Sequence, residues 1–147
     1  MAIRSARIMM GLAAAFIFAS GAMAKECYAP DERAQQRGFS RVVSTEGGKT
    51  LWLAGHTAIP NTPFDQQVRS IFADIDKNIK ATGGAGLADL VTITVYITDA
   101  RLAVRFIELR KEVFRECFPA SALITVAGLA QPGLLIEIQG IAVIGSR

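Results

Sequence analysis

Alternating apolar and polar residues predict short strands along much of this 147-residue chain. From Leu90 to Thr98, valines and isoleucines alternate with threonines and a tyrosine, which is the pattern of a strand with one buried face. A second alternating run lies near the end of the chain. One face of this run is apolar, and the other face carries Leu135, Glu137, Gln139, Ile141 and Val143. Because a carboxylate is costly to bury unless a partner compensates it, Glu137 is a candidate functional residue.

Three further runs have the composition of strands. Residues 39–45 and 49–55 are separated by Glu46-Gly47-Gly48, which predicts a hairpin because glycine tolerates the positive φ of tight turns. Residues 120–126 precede a turn at Gln131-Pro132-Gly133. The sequence therefore predicts five strands.

Two amphipathic helices separate these strands. In the first, Thr62 is a candidate cap, Pro63 suits the first helical position, and Gly83-Gly84 ends the helix. The second begins at Asp99, and Pro119 prevents its continuation. Its apolar stripe is Leu102, Phe106, Leu109 and Val113. Its charged residues are interpreted as a solvated face: Arg101, Arg105, Glu108, Arg110, Lys111, Glu112, Arg115 and Glu116.

The order β-β-α-β-α-β-β predicts an α+β domain of two layers, with both helices packed on one face of a mixed sheet. The helix-free face would carry polar and aliphatic residues together: Thr92, Thr94, Leu123, Thr125, Leu135, Glu137, Gln139, Ile141 and Val143. A sheet face of this kind is rarely left bare. The pattern therefore favours a symmetric oligomer with ligand pockets where the subunits meet.

The first 24 residues resemble a cleaved signal peptide. Arg4 and Arg7 precede an apolar run over residues 8–19, and Ala22-Met23-Ala24 is a cleavage site of the A-x-A type. The alternative is an uncleaved anchor. With cleavage, the sequence predicts a periplasmic or secreted protein, not held by a membrane, with a polar tail over residues 25–38 and one domain over residues 39–147.

Charge and residue counts exclude several functions. Removal of residues 1–24 takes away two arginines and no acid, so the net charge falls from +3 to +1, and no basic run favours nucleic acid. One histidine and two distant cysteines do not form a recognised metal site, and no cofactor motif is present. Cys27 and Cys117 could pair after export or remain separate thiols.

Two other residues lie in or beside the second strand of the predicted hairpin. Trp52 is interpreted as a core or interface aromatic rather than a ligand platform. His56, the single histidine, is either a site residue or a hydrogen-bonded loop residue.

A family resemblance rests on two motifs. Phe118-Pro119-Ala120, followed by a strand and then by Ile136-Glu137-Ile138-Gln139-Gly140-Ile141-Ala142-Val143, resembles the C-terminal signature of the Rid family, also called YjgF or endoribonuclease L-PSP. The resemblance implies a chorismate-mutase-like fold and a homotrimer. It also implies hydrolysis of reactive enamines and imines.

The resemblance assigns roles position by position. Glu137 matches the family's acid, which is thought to position or activate water. Ser121 stands where deaminating members have an arginine that binds the substrate carboxylate, Phe39 where they have a tyrosine, and Ala54 where they have a serine. Serine lacks the charge and the fork of a guanidinium, so the substrate specificity should differ.

Two functions follow from these residues. The first is a deaminase-type hydrolase of altered specificity, in which a partly desolvated Glu137 is the general acid and base. Ser121, Gly55, His56 and Phe39 would hold its substrate. The alternative is a protein that binds a small metabolite in the cleft between subunits without converting it.

Overall fold

A four-stranded mixed sheet carries two long helices on one face in the computed structural model, which describes residues 25–145. The elements in chain order are β1 (Glu26–Tyr28), α1 (Glu32–Arg37), β2 (Val42–Ser44), β3 (Lys49–His56), α2 (Phe64–Ala81), β4 (Leu90–Ile97), α3 (Ala103–Phe114), β5 (Ala120–Thr125) and β6 (Ile136–Ile144). The sheet has the order β3-β6-β4-β5, and only β4 and β5 are parallel. This confirms the predicted α+β fold with its helices on a single face.

The core lies between α2, α3 and the sheet. The predicted stripe of α2 is buried along its whole length, from Phe64 to Ile79. It meets the apolar face of β6, where Ile136, Ile138 and Ala142 have no exposed surface. Each large side chain buried in this way contributes roughly 1.5–3 kcal/mol relative to an exposed one. This packing fixes the sheet and leaves its other face uncovered by helices.

The ends of α2 differ in how far they follow the prediction. Pro63 is the N-cap and makes no side-chain cap bond, while the hydroxyl of Thr62 donates to the Ile59 carbonyl, so the predicted Thr62 cap is wrong. At the other end, Gly83 has a φ of +95° and Gly84 donates its N–H to the Ile79 carbonyl. This closure confirms the predicted glycine stop.

A bulge near the start of β4 changes which side chain enters the core. Leu90 pairs with Ala142 and Thr92 with Ile141, so Val91 is the extra residue. As a result Leu90, which has no exposed surface, occupies the core position that strict alternation assigned to Val91.

Residues 25–38, predicted as an irregular tail, contain β1 and α1. Asp31 caps α1 by accepting the Ala34 N–H, and Gly38 ends it at a φ of +62°. Strand β2 pairs with β1 and not with β3, so the predicted hairpin between residues 39–45 and 49–55 is absent from the described structure. We call residues 25–41 the N-terminal arm.

A disulfide joins this arm to the end of α3. Cys27 of β1 is bonded to Cys117, with a Cα separation of 5.2 Å. The bond settles the alternative that the sequence left open. It anchors the arm beside the first residues of β5, where Ser40 also forms a parallel bridge with Ala120.

The predicted signal peptide over residues 1–24 lies outside the described residues. Within residues 25–145, no helix has both the length and the apolar character needed to cross a bilayer.

Candidate functional site

Glu137 lies on the sheet face that carries no helix. It is paired in register with Tyr96, while its neighbours Ile136 and Ile138 point into the core. The side chain is half-buried, and no hydrogen bond or ion pair reaches its carboxylate from residues 25–145. A carboxylate without a protein partner is free to act on a bound molecule or on water.

Gly55 lies directly against this carboxylate. The register of β3 and β6 shifts between Leu53 and His56, so the chain bulges at Ala54 and Gly55. A Cβ added at Gly55 would overlap Oε1 of Glu137 and would lie 2.9 Å from its Cδ. Only glycine leaves room for the carboxylate here, so the two predicted site residues are in fact brought together.

The surroundings of Glu137 are polar on one side and apolar on the other. The Gln139 side-chain amide donates to the Tyr96 hydroxyl across 3.1 Å. Trp52, in register with Ile141 on the same face, is 80% exposed. It is therefore not a core residue of this chain, and an interface role remains its interpretation.

His56 points away from Glu137. It is in register with Ile138, a core residue, and its ring packs toward α2 with only 11% of the side chain exposed. Nδ1 lies 2.7 Å from the Ala54 carbonyl, and Nε2 lies 3.1 Å from the Asn78 amide. The described contacts are those of a hydrogen-bonded residue that fixes the bulge, and none of them joins it to Glu137.

Ser121 also lies on the helix side of the sheet. Strand β5 places it in register with Ile93, whose side chain is in the core. By the same register Leu123 and Thr125 share that face, in contrast to their predicted place on the helix-free face. The side chain of Ser121 is therefore on the opposite face from Glu137.

The residue that meets Ser121 is Arg110 of α3. Its Nη1 donates to Ser121 Oγ across 2.7 Å, its Nη2 donates to the Arg37 carbonyl, and its guanidinium lies 5.2 Å from the centre of the Phe106 ring. Arg110 is only 3% exposed, so its predicted place on a solvated face is wrong. A guanidinium thus reaches the strand position at which the sequence has only a serine.

Arg110 is buried without a compensating acid. No carboxylate of the described chain forms an ion pair with it, and its buried Nε has no hydrogen-bond partner there. Burial, and then the positive charge of Arg37, lower the pKa of Arg110 to about 10. A buried cation in this state is an electrostatic cost that a bound anion would reduce.

These residues line a small cavity, which we call the arginine pocket. Its volume is about 220 Å³, and its lining residues are Arg33, Arg37, Phe39, Arg41, Arg110, Ser121 and Leu123. Two of the predicted binding residues, Phe39 and Ser121, therefore do lie together. The Arg41 guanidinium stacks over the Phe39 ring at 5.3 Å.

The two halves of the predicted site are separated within one chain. Ser121 is level with Gly140 of β6, which is three residues from Glu137, and β4 lies between β5 and β6. Strand geometry then separates them by roughly 10 Å across the sheet and about 10 Å along it, on opposite faces. One small molecule cannot contact both groups of the same chain.

Helix spacing indicates that Arg110 is a buried residue, although its charge favours a solvated face. Arg110 follows Phe106 by four residues and precedes Val113 by three, so it belongs to the buried stripe of α3. A charged residue at a stripe position is an anomaly of the same kind as Glu137. No group of His, Cys, Asp and Glu side chains suited to a metal ion is found among residues 25–145.

The described chain is thus a small α+β domain with two candidate functional groups. These are the unpaired carboxylate of Glu137 and the cationic arginine pocket. The family model of endoribonuclease L-PSP matches residues 29–144, so this chain belongs to that family, which is the Rid or YjgF family. Membership supports a role in processing or binding a small molecule.

Solved structures agree with this assignment. YyfB, a conserved Rid family protein of Yersinia pestis, is similar with 25% identity and a TM-score of 0.70 over 83% of this chain and 98% of that one. Rv2704 of Mycobacterium tuberculosis, of the YjgF/YER057c/UK114 family, has 27% identity and a TM-score of 0.61 over 82% and 100%. RidA of an Antarctic Psychrobacter has 28% identity and a TM-score of 0.62 over 72% and 88%. None of the curated proteins compared matches the chain.

Proposed function

We propose that this protein hydrolyses a small anionic imine or enamine at a site completed by two copies of the chain. The observation that carries the proposal is the Glu137 carboxylate, which has no partner in the described chain and faces the Gly55 bulge. The geometry gives this acid access to a ligand on the helix-free face.

The chemistry needs one acid and one water molecule. Glu137 accepts a proton from the water as its oxygen adds to the carbon of the C=N bond, and it passes this proton to the nitrogen, which gives a carbinolamine. Glu137 then carries the hydroxyl proton of the carbinolamine to the amine as the C–N bond breaks, which releases ammonia and a carbonyl compound. The carboxylate is regenerated, so no cofactor is consumed.

Arg110 supports the choice of an anionic substrate. The family resemblance places a substrate-binding arginine at position 121, and this chain has serine there. The Arg110 guanidinium donates to that serine, so charge and donor groups are present although they come from α3. The replacement at position 121 therefore moves the cation and does not remove it.

The separation of the two halves supports a shared site. Glu137 and Ser121 lie on opposite faces of one sheet, so a molecule held by both must lie between copies. The exposed Trp52 gives the helix-free face an apolar anchor for a second copy. The family is typically homotrimeric, and we propose the same assembly here.

The test is ammonia release from a panel of freshly generated imines and enamines, with and without a carboxylate. We expect Glu137→Gln to lose at least 100-fold in kcat, since general acid and base catalysis contributes roughly 10²–10⁴-fold. Glu46→Gln removes an exposed acid in the loop between β2 and β3 and is the matched control. Equal turnover by Glu137→Gln and the unsubstituted protein would overturn the proposal.

A non-catalytic binding protein is the second candidate. It is favoured by one observation: the arginine pocket of a single chain contains cationic and apolar groups but no acid among its lining residues. This alternative would be established if the unsubstituted protein and the Glu137→Gln variant both retained small anions and neither released ammonia from any substrate of the panel.

We also propose that the chain is exported after cleavage behind Ala24. The Cys27–Cys117 disulfide supports export, because such bonds persist in oxidising compartments. Mass spectrometry of the protein from cell fractions tests this. A mature chain that begins at Lys25 outside the cytoplasm is expected, and an intact N-terminus in the cytoplasm would contradict it.

A further inference from the structure

The positive charge of the arginine pocket is only partly balanced by a neighbouring acid. Of its four arginines, Arg41 is paired with Asp31 at 2.8 Å. Arg33, Arg37 and Arg110 form no ion pair with any carboxylate among residues 25–145. Three guanidinium groups thus converge on about 220 Å³ without a protein counter-charge.

The three unpaired groups differ in depth. Arg110 forms the inner wall, where it is buried and held by Ser121 and by the Arg37 carbonyl. Arg33 and Arg37 are exposed and lie four residues apart on α1, so they share one side of that helix. The pocket therefore has cationic groups at its base and along its rim.

Apolar groups are also part of the lining. Phe39 follows α1, and Leu123 is the next residue after Ser121 on the same face of β5. An inorganic anion has no apolar surface to bury against these side chains, whereas an organic ligand would bury its carbon atoms against them.

We propose that the arginine pocket binds a small organic ligand with two anionic groups joined by a short carbon chain, as in a dicarboxylate. One anionic group meets Arg110 and Ser121, and the other meets Arg33 and Arg37. The inference deepens the proposed function by naming its substrate class, and it rests on that function only in making this ligand the molecule that reacts.

The test is calorimetric titration of the purified, disulfide-bonded protein with glutarate, with its monoanionic match butyrate, and with inorganic phosphate. Glutarate is expected to bind at least tenfold more tightly than butyrate, because its second carboxylate adds charge-assisted hydrogen bonds to Arg33 and Arg37. Arg33→Gln/Arg37→Gln should reduce glutarate affinity to that of butyrate, and Arg110→Met should weaken both ligands. Lys77→Gln, which removes one exposed charge of α2 outside the pocket, should change neither.

Two results would overturn the inference. One is equal affinity for glutarate and butyrate, and the other is unchanged glutarate binding in Arg110→Met. Phosphate binding that equals glutarate binding would show a plain anion site and would also contradict it. Binding is read without turnover, so selective glutarate binding without ammonia release would refute only the hydrolase, and turnover without dicarboxylate selectivity would refute only this inference.

Discussion

Arg110 of α3 and Ser121 of β5 are joined by a 2.7 Å hydrogen bond between Nη1 and Oγ. This bond brings a buried guanidinium to the strand position where the sequence alone shows only a hydroxyl. Arg110 does not gain a protein counter-charge from it. An anion from outside the chain would supply the counter-charge that residues 25–145 do not provide.

Arg110→Met tests that distinction. The lowered pKa of Arg110 corresponds to an unfavourable burial of charge on the order of 3 kcal/mol, while the hydrogen bonds lost to Ser121 and to the Arg37 carbonyl offset about the same amount. We expect the free energy of unfolding in urea to change by less than about 1 kcal/mol. Glutarate binding should be weakened in the same variant. A variant that unfolds more easily would indicate that Arg110 is mainly structural.

The pH dependence of binding follows from the same guanidinium. Because burial lowers the pKa of Arg110 to about 10 in the folded chain, below its value in the unfolded chain, the unfolded state holds more protons in the pH window between the two pKa values. The Arg110 contribution to stability therefore rises with pH through this window. Anion affinity needs the charged form, so it should be level from pH 7 to 9 and fall above about pH 10. Arg110→Met should lack this step, and a fall of the same size in the variant would assign it to other groups.

Gly55 tests the second half of the site. Gly55→Ala would overlap the Glu137 carboxylate, which must then turn away from its present position. The end of a flexible side chain can move, so we expect unfolding free energy to change by less than about 1 kcal/mol. Turnover should fall by roughly 100-fold, since a displacement of about 1 Å can have that effect on a catalytic group.

The matched control for this change is Gly128→Ala. A Cβ at Gly128 meets no atom within 4 Å, and its φ is not in the positive region. This variant should retain full turnover. If Gly55→Ala also retains it, Glu137 does not act from its present position.

The disulfide provides a stability prediction. Cys27 and Cys117 are 90 residues apart in sequence, and closing so long a loop stabilises the folded state by roughly 2–5 kcal/mol. Replacing both cysteines by alanine should lower the unfolding free energy by that amount, as measured by urea titration. In the presence of a reductant the unsubstituted protein should fall to the level of the variant. No difference between the two under oxidising conditions would mean that the bond is not formed in solution.

Hydrophobic periodicity was sufficient to predict the layers of this fold, because the stripe of α2 and the apolar face of β6 are one-sided. It was not sufficient for β5, whose residues Ala-Ser-Ala-Leu-Ile-Thr have no clear apolar face. The face of Ser121 is decided by its parallel register with β4, which is a long-range pairing. The disulfide and the pairing of β1 with β2 also depend on contacts that no local pattern specifies.

The candidate site was predictable only in part, because some of its residues are brought together by long-range contacts. Glu137 was identifiable because a carboxylate stands out in an apolar strand, whereas Gly55 was suggested by the family resemblance. The arginine pocket was not identifiable, because its members come from α1, α3 and β5 and meet only in the folded chain. His56 is a candidate from the sequence because it follows Gly55. The bulge in β3, however, turns its side chain to the face of the sheet opposite Glu137.

Trp52 tests the proposed assembly. It is 80% exposed on the helix-free face, where it lies in register with Ile141. Aromatic anchors of this kind commonly contribute about 2 kcal/mol or more to an interface. We expect Trp52→Ser to shift the protein from trimer toward monomer in light scattering at micromolar concentration. Turnover should fall with it, because Glu137 of one copy would lose the arginine pocket of another.

The control for this experiment is Val104→Ser. Val104 is 68% exposed, but it lies on α3, which packs on the other face of the sheet. Its replacement removes a comparable exposed apolar group without touching the proposed interface, so mass and turnover should be unchanged. A monomeric unsubstituted protein with full turnover would contradict the shared site, because opposite faces of one sheet cannot hold the same small molecule. A Trp52→Ser trimer with full turnover would contradict only the role of Trp52 as the anchor of the interface.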